Sequence, residues 1–261
     1  NSLIKMGTGA VEIKTGYGLT VDAELKMLSV INRLKRESLV KITPTLLAAH
    51  AVPSEYKTNK SAYIKLITDE LIPKAAELGI AKYIDVFCEK GYFNLNETEK
   101  ILKAAQNYGM VPKIHVNQFN ILGGVELGVK YNARSVDHLE ELSINDIEAL
   151  KTSETMPVAL PNCSFFLGIP YTPARQIIDS GLPLALASDF NPGSAPSGNM
   201  SFVVSTACIK LKLTPEEAIN AATINGAYAM GISSMYGSIT RGKKANLIIT
   251  KPCEDYRDIV Y

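Results

Sequence analysis

At 261 residues the chain is long enough for one large domain, since α/β barrels of that size often stay undivided. Its 46% hydrophobic and 20% charged residues are an ordinary globular composition, which excludes a disordered chain. Lys+Arg 27 against Asp+Glu 26 leaves a formal charge of +1 with no basic stripe, arguing against nucleic acid or an anionic membrane surface as partner.

Cys88, Cys163, Cys208 and Cys253 are too scattered for a zinc ribbon or a disulfide framework. They read as reduced and mostly buried, which points to the cytoplasm. No apolar run approaches the roughly 18 residues of a membrane span. Asn1-Ser2-Leu3-Ile4-Lys5-Met6 has no signal-peptide architecture and no initiator Met, and Tyr261 follows a strand-like patch, so both ends read as cut.

In chain order, strand-like segments fall near 9–14, 40–49, 83–88, 111–115, 134–137, 157–161 and 183–188. Most read as continuously apolar, as expected for strands covered on both faces. Thr20 caps a helical pattern to about Glu37, with Val21, Leu25, Leu28, Ile31 and Leu34 on one face. Ser61–Leu78 reads as helix stopped by Gly79, and Leu95–Tyr108 as helix closed by Gly109. Ile144–Leu150 and Ala174–Ser180 repeat the pattern. Such alternation with short loops means parallel βαβ units. Seven strands are counted where a closed barrel needs eight; an absent first strand would agree with the cut start. The open edges would then favour aggregation.

After Asp189 comes a turn-rich loop, Asn191-Pro192-Gly193-Ser194-Ala195-Pro196-Ser197-Gly198, suited to ligand contact. Helices are expected at 199–212, at 215–223 behind a Thr214-Pro215-Glu216-Glu217 cap, and at Asn225–Met230. Two strands, Gly237–Gly242 and Ala245–Thr250, are expected to join a small separate sheet. The domains are thus a catalytic barrel over 1–235 and strands of a truncated small β domain over 236–261.

The chemistry concentrates at strand ends. His50, His115 and His138 each end a short apolar run, and Asp189 ends another. In a parallel barrel those ends share the rim that carries active sites. Imidazole and carboxylate together there make a borderline-metal site and its acid–base apparatus, pointing to a metal-dependent hydrolase. Each residue has a duller reading. His115 serves equally as a packed histidine, Asp189 as the head of an Asx turn, and His138 as a partner of Asp137 or Glu140. Glu12 and Lys14 read as a structural buried ion pair. Arg175 is an anion partner or a surface residue at a helix start. Neither Cys88 nor Cys163 has a base nearby in sequence that would make it a nucleophile.

Several patches together resemble the imidazolonepropionases. They are Val11-Glu12-Ile13-Lys14-Thr15-Gly16-Tyr17-Gly18-Leu19, Ala49-His50-Ala51-Val52-Pro53 with Glu55-Tyr56, and Phe87-Cys88-Glu89-Lys90-Gly91-Tyr92-Phe93. His115 to Gly124, Val136-Asp137-His138-Leu139, Ser188-Asp189-Phe190-Asn191-Pro192-Gly193-Ser194 and Leu213–Ala218 extend the likeness along essentially the whole chain. The resemblance implies a TIM-like (β/α)8 barrel of the amidohydrolase type, probed here from strand 2 to strand 8, followed by part of a small β-sandwich domain. It implies one zinc or iron ion with His115 and Asp189 as ligands, and Glu89 in place of a bridging lysine favours a single metal. The family's upstream His-x-His has no counterpart in these residues, so the chain reads as a fragment of an active parent.

The implied reaction is hydrolysis of 4-imidazolone-5-propanoate to N-formimidoyl-L-glutamate in histidine degradation. His138 would support the developing oxyanion and Asp189 would carry the proton. Tyr17, His50, Gln118, Asn191, Gly193 and Ser194 would bind the substrate, Tyr17 from a mobile turn. Gln118, one helical turn after His115, cannot take a proton and can only orient. Two alternatives stay open: another mononuclear amidohydrolase such as an aromatic-ring deaminase, and a metal-free remnant. The partner is a small molecule, and the oligomeric state, a homodimer included, is open.

Overall fold

The computed structural model describes residues 2–260. Strand order follows chain order, β1-β2-β3-β4-β5-β6-β7. The strands are β1 (Ala10–Lys14), β2 (Lys41–Ala49), β3 (Tyr83–Cys88), β4 (Val111–Val116), β5 (Ser135–His138), β6 (Met156–Ala159) and β7 (Ala185–Leu186). Pairs β2–β3, β3–β4 and β6–β7 are parallel. Helices alternate with them, as the two hydrophobic periods in the sequence require. The chain divides into two compact units, Val11–Val136 with Ser153–Thr155, and the remainder.

In the first unit, α1 (Ser2–Lys5) being part of the other, α2 (Val21–Glu37) starts where Thr20 accepts from the Ala23 amide. Helical residues run from Lys60 to Leu78 as α3 (Lys60–Leu66), a π turn (Ile67–Leu71) and α4 (Ile72–Leu78). The run ends at Gly79, whose φ of 61° suits a residue without Cβ. A capping box of Asn94 and Glu97 opens α5 (Leu95–Gln106), and α6 (Gly124–Lys130) follows β4. Leu28, Leu46, Ile67, Ile72, Ile84, Ile101, Leu102 and Ile114 are fully buried. Each contributes roughly 1.5–3 kcal/mol of apolar burial, which makes this face the main source of the unit's stability.

The sequence reading of continuously apolar strands needs correction here. Alternate residues point to opposite faces of a strand. On β1, β3 and β4 one of those faces carries Glu12 and Lys14, Asp85, and Lys113 and His115. The β3–β4 register sets Asp85 beside Lys113 and Phe87 beside His115. Barrel interiors are usually filled by branched aliphatic residues. Charged groups fit here because they pair with one another.

In the second unit α7 (Ile144–Lys151), α8 (Pro161–Leu167), α9 (Ala174–Asp179), α10 (Met200–Lys210), α11 (Pro215–Asn220) and α12 (Gly226–Ala229) accompany the late strands. Met156, Val158, Leu160, Cys163, Ala185 and Ala229 form its buried apolar cluster. Only two residues of the expected 183–188 strand, Ala185 and Leu186, are in a ladder, and Pro183 has no N–H to extend it at the start. The expected strands at 237–242 and 245–250 are not formed. Gly237 and Gly242 turn the chain at φ near 88°, Asn246 donates to the Gly9 carbonyl at 2.6 Å, and Ile248 and Ile249 lie exposed with no ladder to join. The residues from 236 onward belong to the same compact unit as α8 to α12. No helix among the described residues is long and apolar enough to cross a membrane.

Candidate functional site

His115 sits near the end of β4, and its Nδ1 lies 3.0 Å from Asp85 Oδ1. The other carboxylate oxygen, Oδ2, accepts from Lys14 Nζ at 2.6 Å. Burial alone would raise the Asp85 carboxyl, but His115 and Lys14 beside it override that and hold it far below the carboxylate range. An ionised carboxylate only accepts, so His115 Nδ1 must be the donor. A neutral imidazole that donates from Nδ1 keeps its lone pair on Nε2. That is the state a borderline divalent cation needs, with the carboxylate fixing ring and tautomer from behind.

The charges continue inward. Lys14 also pairs with Glu12 Oε1 at 2.9 Å, and Glu12 accepts from Lys113 and from the Thr45 hydroxyl. Burial would raise the Glu12 carboxyl, but Lys113 and Lys14 bring it down to about 2. Two cations, Lys14 and Lys113, therefore face two anions, Glu12 and Asp85. The expected Glu12–Lys14 pair is present, but as part of a larger array that also fixes His115.

His50 follows β2, and its ring centroid lies 5.6 Å from Tyr17 and 6.0 Å from Phe87. Phe87 in turn lies 6.1 Å from His115, edge to face. This aromatic row brings three of the expected residues into one neighbourhood. Tyr17 is 58% exposed, so it has surface available to a ligand. The turn that was read as mobile carries a set of hydrogen bonds. The buried Glu24 carboxylate accepts from the amides of Gly16 (3.0 Å), Gly18 (2.7 Å) and Leu19 (3.1 Å). Three hydrogen bonds to one charged group pin the turn. Gly16 has φ 113°, and a Cβ there would meet the Leu47 carbonyl oxygen at 2.6 Å.

Gln118 is buried but not on a helix. It lies in the loop after β4, next to Asn117 at φ 56°. Here too a buried acid organises the loop: Glu89 accepts from the amides of Phe119 and Asn120 at 3.0 and 3.3 Å and from Asn120 Nδ2 at 3.0 Å. Glu24 and Glu89 were missed as site residues in the sequence. Their only signal is an acid placed among apolar neighbours beside a glycine-rich turn.

In the second unit His138 ends β5 at φ 89°, followed by Leu139 at 63°. Its Nδ1 lies 3.4 Å from Glu140 Oε1, which also accepts from Ser164 Oγ at 3.1 Å. Burial opposes a charged imidazole, but Glu140, the Cys163 side chain and the more distant Asp189 carboxylate together raise its pKa well above 6.5. His138 is therefore a cationic donor. The sequence placed no base near Cys163; the fold brings this imidazole to it.

Asp189 lies just past β7 with φ 51°. Ser194 Oγ donates to Asp189 Oδ2 at 3.2 Å. Asn191 closes an Asx turn, accepting from the amides of Gly193 and Ser194 at 2.9 and 2.8 Å and donating to the Asp189 carbonyl at 2.6 Å. The loop residues thus gather around Asp189, with Asn191's amide spent inside the turn. Arg175 settles as a structural residue, bidentate to Glu217 at 2.7 and 3.0 Å. Asn117, His138, Leu139 and Asp189 are four of the seven non-glycine residues at positive φ among those described. Such strain gathers where function holds the backbone in place.

The fold is of the parallel β/α class, with histidine and aspartate at its strand ends, and a family model matches it. The description "Amidohydrolase family" matches residues 88–261, and the chain belongs to that family. Within it, the chain is 64% identical over 99% of its length to an imidazolonepropionase of Flavobacterium johnsoniae, and 43% identical over 97% to one of Thermoanaerobacter pseudethanolicus. It spans 63% and 61% of those proteins. Among solved structures it resembles a zinc-bound adenosine deaminase of Xanthomonas campestris, with a TM-score of 0.70, 17% identity, and 93% and 57% of the two chains covered. That likeness supports the expected fold, a partial TIM-like barrel of the amidohydrolase type.

Proposed function

We propose that the whole protein to which these residues belong hydrolyses 4-imidazolone-5-propanoate to N-formimidoyl-L-glutamate, in the cytoplasm, as a step of histidine degradation. The observation that carries this reading is the 64% identity to an imidazolonepropionase across 99% of the chain. In that reaction water adds to the ring carbonyl and the carbonyl–nitrogen bond breaks. The water's oxygen ends in the new carboxylate and one of its protons on the departing nitrogen.

The donor chemistry fits a borderline divalent cation. His115 and Asp189 would supply an imidazole nitrogen and a carboxylate oxygen, with Asp85 behind the first and Ser194 on the second. One zinc or iron ion, when bound, lowers the pKa of a water from about 15.7 toward 7. The remaining work belongs to the side chains. His138, cationic and anchored by Glu140, donates to the carbonyl oxygen as negative charge grows there. Asp189 takes the proton of the attacking water and passes it to the ring nitrogen. Tyr17 and His50 present aromatic faces to the ring, Gln118 orients it, and the Asn191, Gly193 and Ser194 turn beside Asp189 meets the carboxylate tail.

The test is turnover of imidazolone propionate by the whole protein, followed by loss of its ultraviolet absorbance and by product mass. Addition of one water to the substrate mass is expected. Asp189→Asn should lower kcat by about 10²–10⁴, the share of a positioned proton carrier. Release of ammonia with another ring substrate, and no ring opening, would replace this reading with a deaminase.

A further inference from the structure

Cys163 is a buried thiol on a short helix, with no direct role in the ring-opening reaction. Its surroundings give it a chemistry. His138, Glu140 and Cys163 present an imidazole nitrogen, a carboxylate oxygen and a thiol sulfur that all lie within 4.8 Å of one another. The turn from β5 supplies two of them and α8 the third, and all three residues are buried. Glu140 Oε1 is engaged by His138 and Ser164, whereas Glu140 Oε2 is buried with no hydrogen-bond partner. A buried polar atom without a partner is unfavourable, and more so on a charged group. Something that accepts electron pairs would remove that cost.

We propose that His138, Glu140 and Cys163 form a cation site of their own, selective for borderline-to-soft divalent ions such as zinc, cobalt or cadmium. Thiolate, imidazole and carboxylate together match zinc-type preferences, and three protein donors leave one position for solvent. Magnesium and calcium, which take oxygen ligands, would be refused. Binding exchanges protons for the metal: the thiol loses one, the imidazolium loses one, and the divalent cation takes their place. Glu140 and Asp189 both place negative charge toward His138, so the electrostatics that favour a proton there favour a cation equally. A filled site would also take His138 out of proton donation, so excess zinc would inhibit. That consequence rests on the proposed reaction; the site does not.

Cobalt(II) titration tests it on the chain itself, with the exposed Cys253 replaced by serine to remove its thiol. The expected result is a thiolate-to-cobalt charge-transfer band that saturates near one equivalent, with release of protons. Cys163→Ser should abolish the band, and Glu140→Gln should weaken cobalt binding at least about tenfold. Cys163→Ala serves as a second variant if the serine change disturbs folding, judged by an unaltered circular dichroism melt. Absence of the band, or its survival in a folded Cys163 variant, overturns the proposal. Unchanged affinity in Glu140→Gln overturns the part played by the carboxylate. None of these readouts uses turnover, so failure here and failure of the ring-opening reading are separable.

Discussion

Asp85 acts on the site through His115. Its carboxylate accepts the Nδ1 proton at 3.0 Å while Lys14 holds its other oxygen at 2.6 Å, so neither the ring nor its tautomer is left to chance. Replacing it by asparagine keeps the shape and loses the charge. In the whole protein, Asp85→Asn should weaken zinc binding by about 10–100-fold, as expected when the partner behind a metal-bound histidine is neutralised. Competition with a chromophoric chelator would read this directly. Nitrogen-15 spectra of the metal-free protein should show His115 protonated at Nδ1 in the wild type and mixed between tautomers in the variant. Wild-type affinity in Asp85→Asn would mean that the pair is structural only.

At the scale of elements, the loops that carry candidate residues are held by acids drawn from neighbouring segments. Glu24, from the first turn of α2, holds the Gly16–Leu19 turn that presents Tyr17, and Glu89, after β3, holds the loop that carries Gln118. Glu89→Gln can still accept, but it replaces charge-assisted bonds with weaker neutral ones. It should raise the substrate's KM more than it lowers kcat, because it loosens an orienting residue rather than a proton carrier. Gly16→Ala is harsher: the new Cβ meets the Leu47 carbonyl at 2.6 Å in a backbone already at φ 113°. A loss of about 1–3 kcal/mol in denaturant-measured stability is expected.

These clamps also explain what could be read in advance. Strand and helix positions, the caps at Thr20 and Thr214, and the strand-end places of His115, His138 and Asp189 follow from periodicity and local chemistry. The partners of those residues do not. Asp85 lies 30 residues from His115, and Lys113 lies 101 residues from Glu12, so no local pattern announces either pair. Gln118, three residues after His115, lies in a loop, because Asn117 at φ 56° turns the chain first. The strands expected at 237–250 failed for the converse reason: their sequence is strand-like, but a strand also requires a ladder.

For the molecule as a whole, the buried charges set a stability window in pH, with opposite slopes at its two sides. Glu12 is held at about 2, below its ordinary 4.5, by Lys113 and Lys14 against the pull of burial. A depressed carboxylate stabilises the fold above pH 4.5, and that contribution drains away as pH falls from 4.5 toward 2. A shift of this size corresponds to about 3 kcal/mol. His138 behaves in the opposite sense. Its folded pKa lies above 6.5, so its contribution is full below pH 6.5 and is lost as pH rises through the folded value. The melting temperature without added metal should therefore be highest between about pH 4.5 and 6.5, falling on both sides. His138→Gln should flatten the alkaline slope and leave the acid slope intact, while Glu12→Gln should flatten the acid slope at the cost of two less compensated lysines. A profile whose alkaline limb is the same in His138→Gln and wild type would show that this imidazole does not hold its proton as its surroundings require.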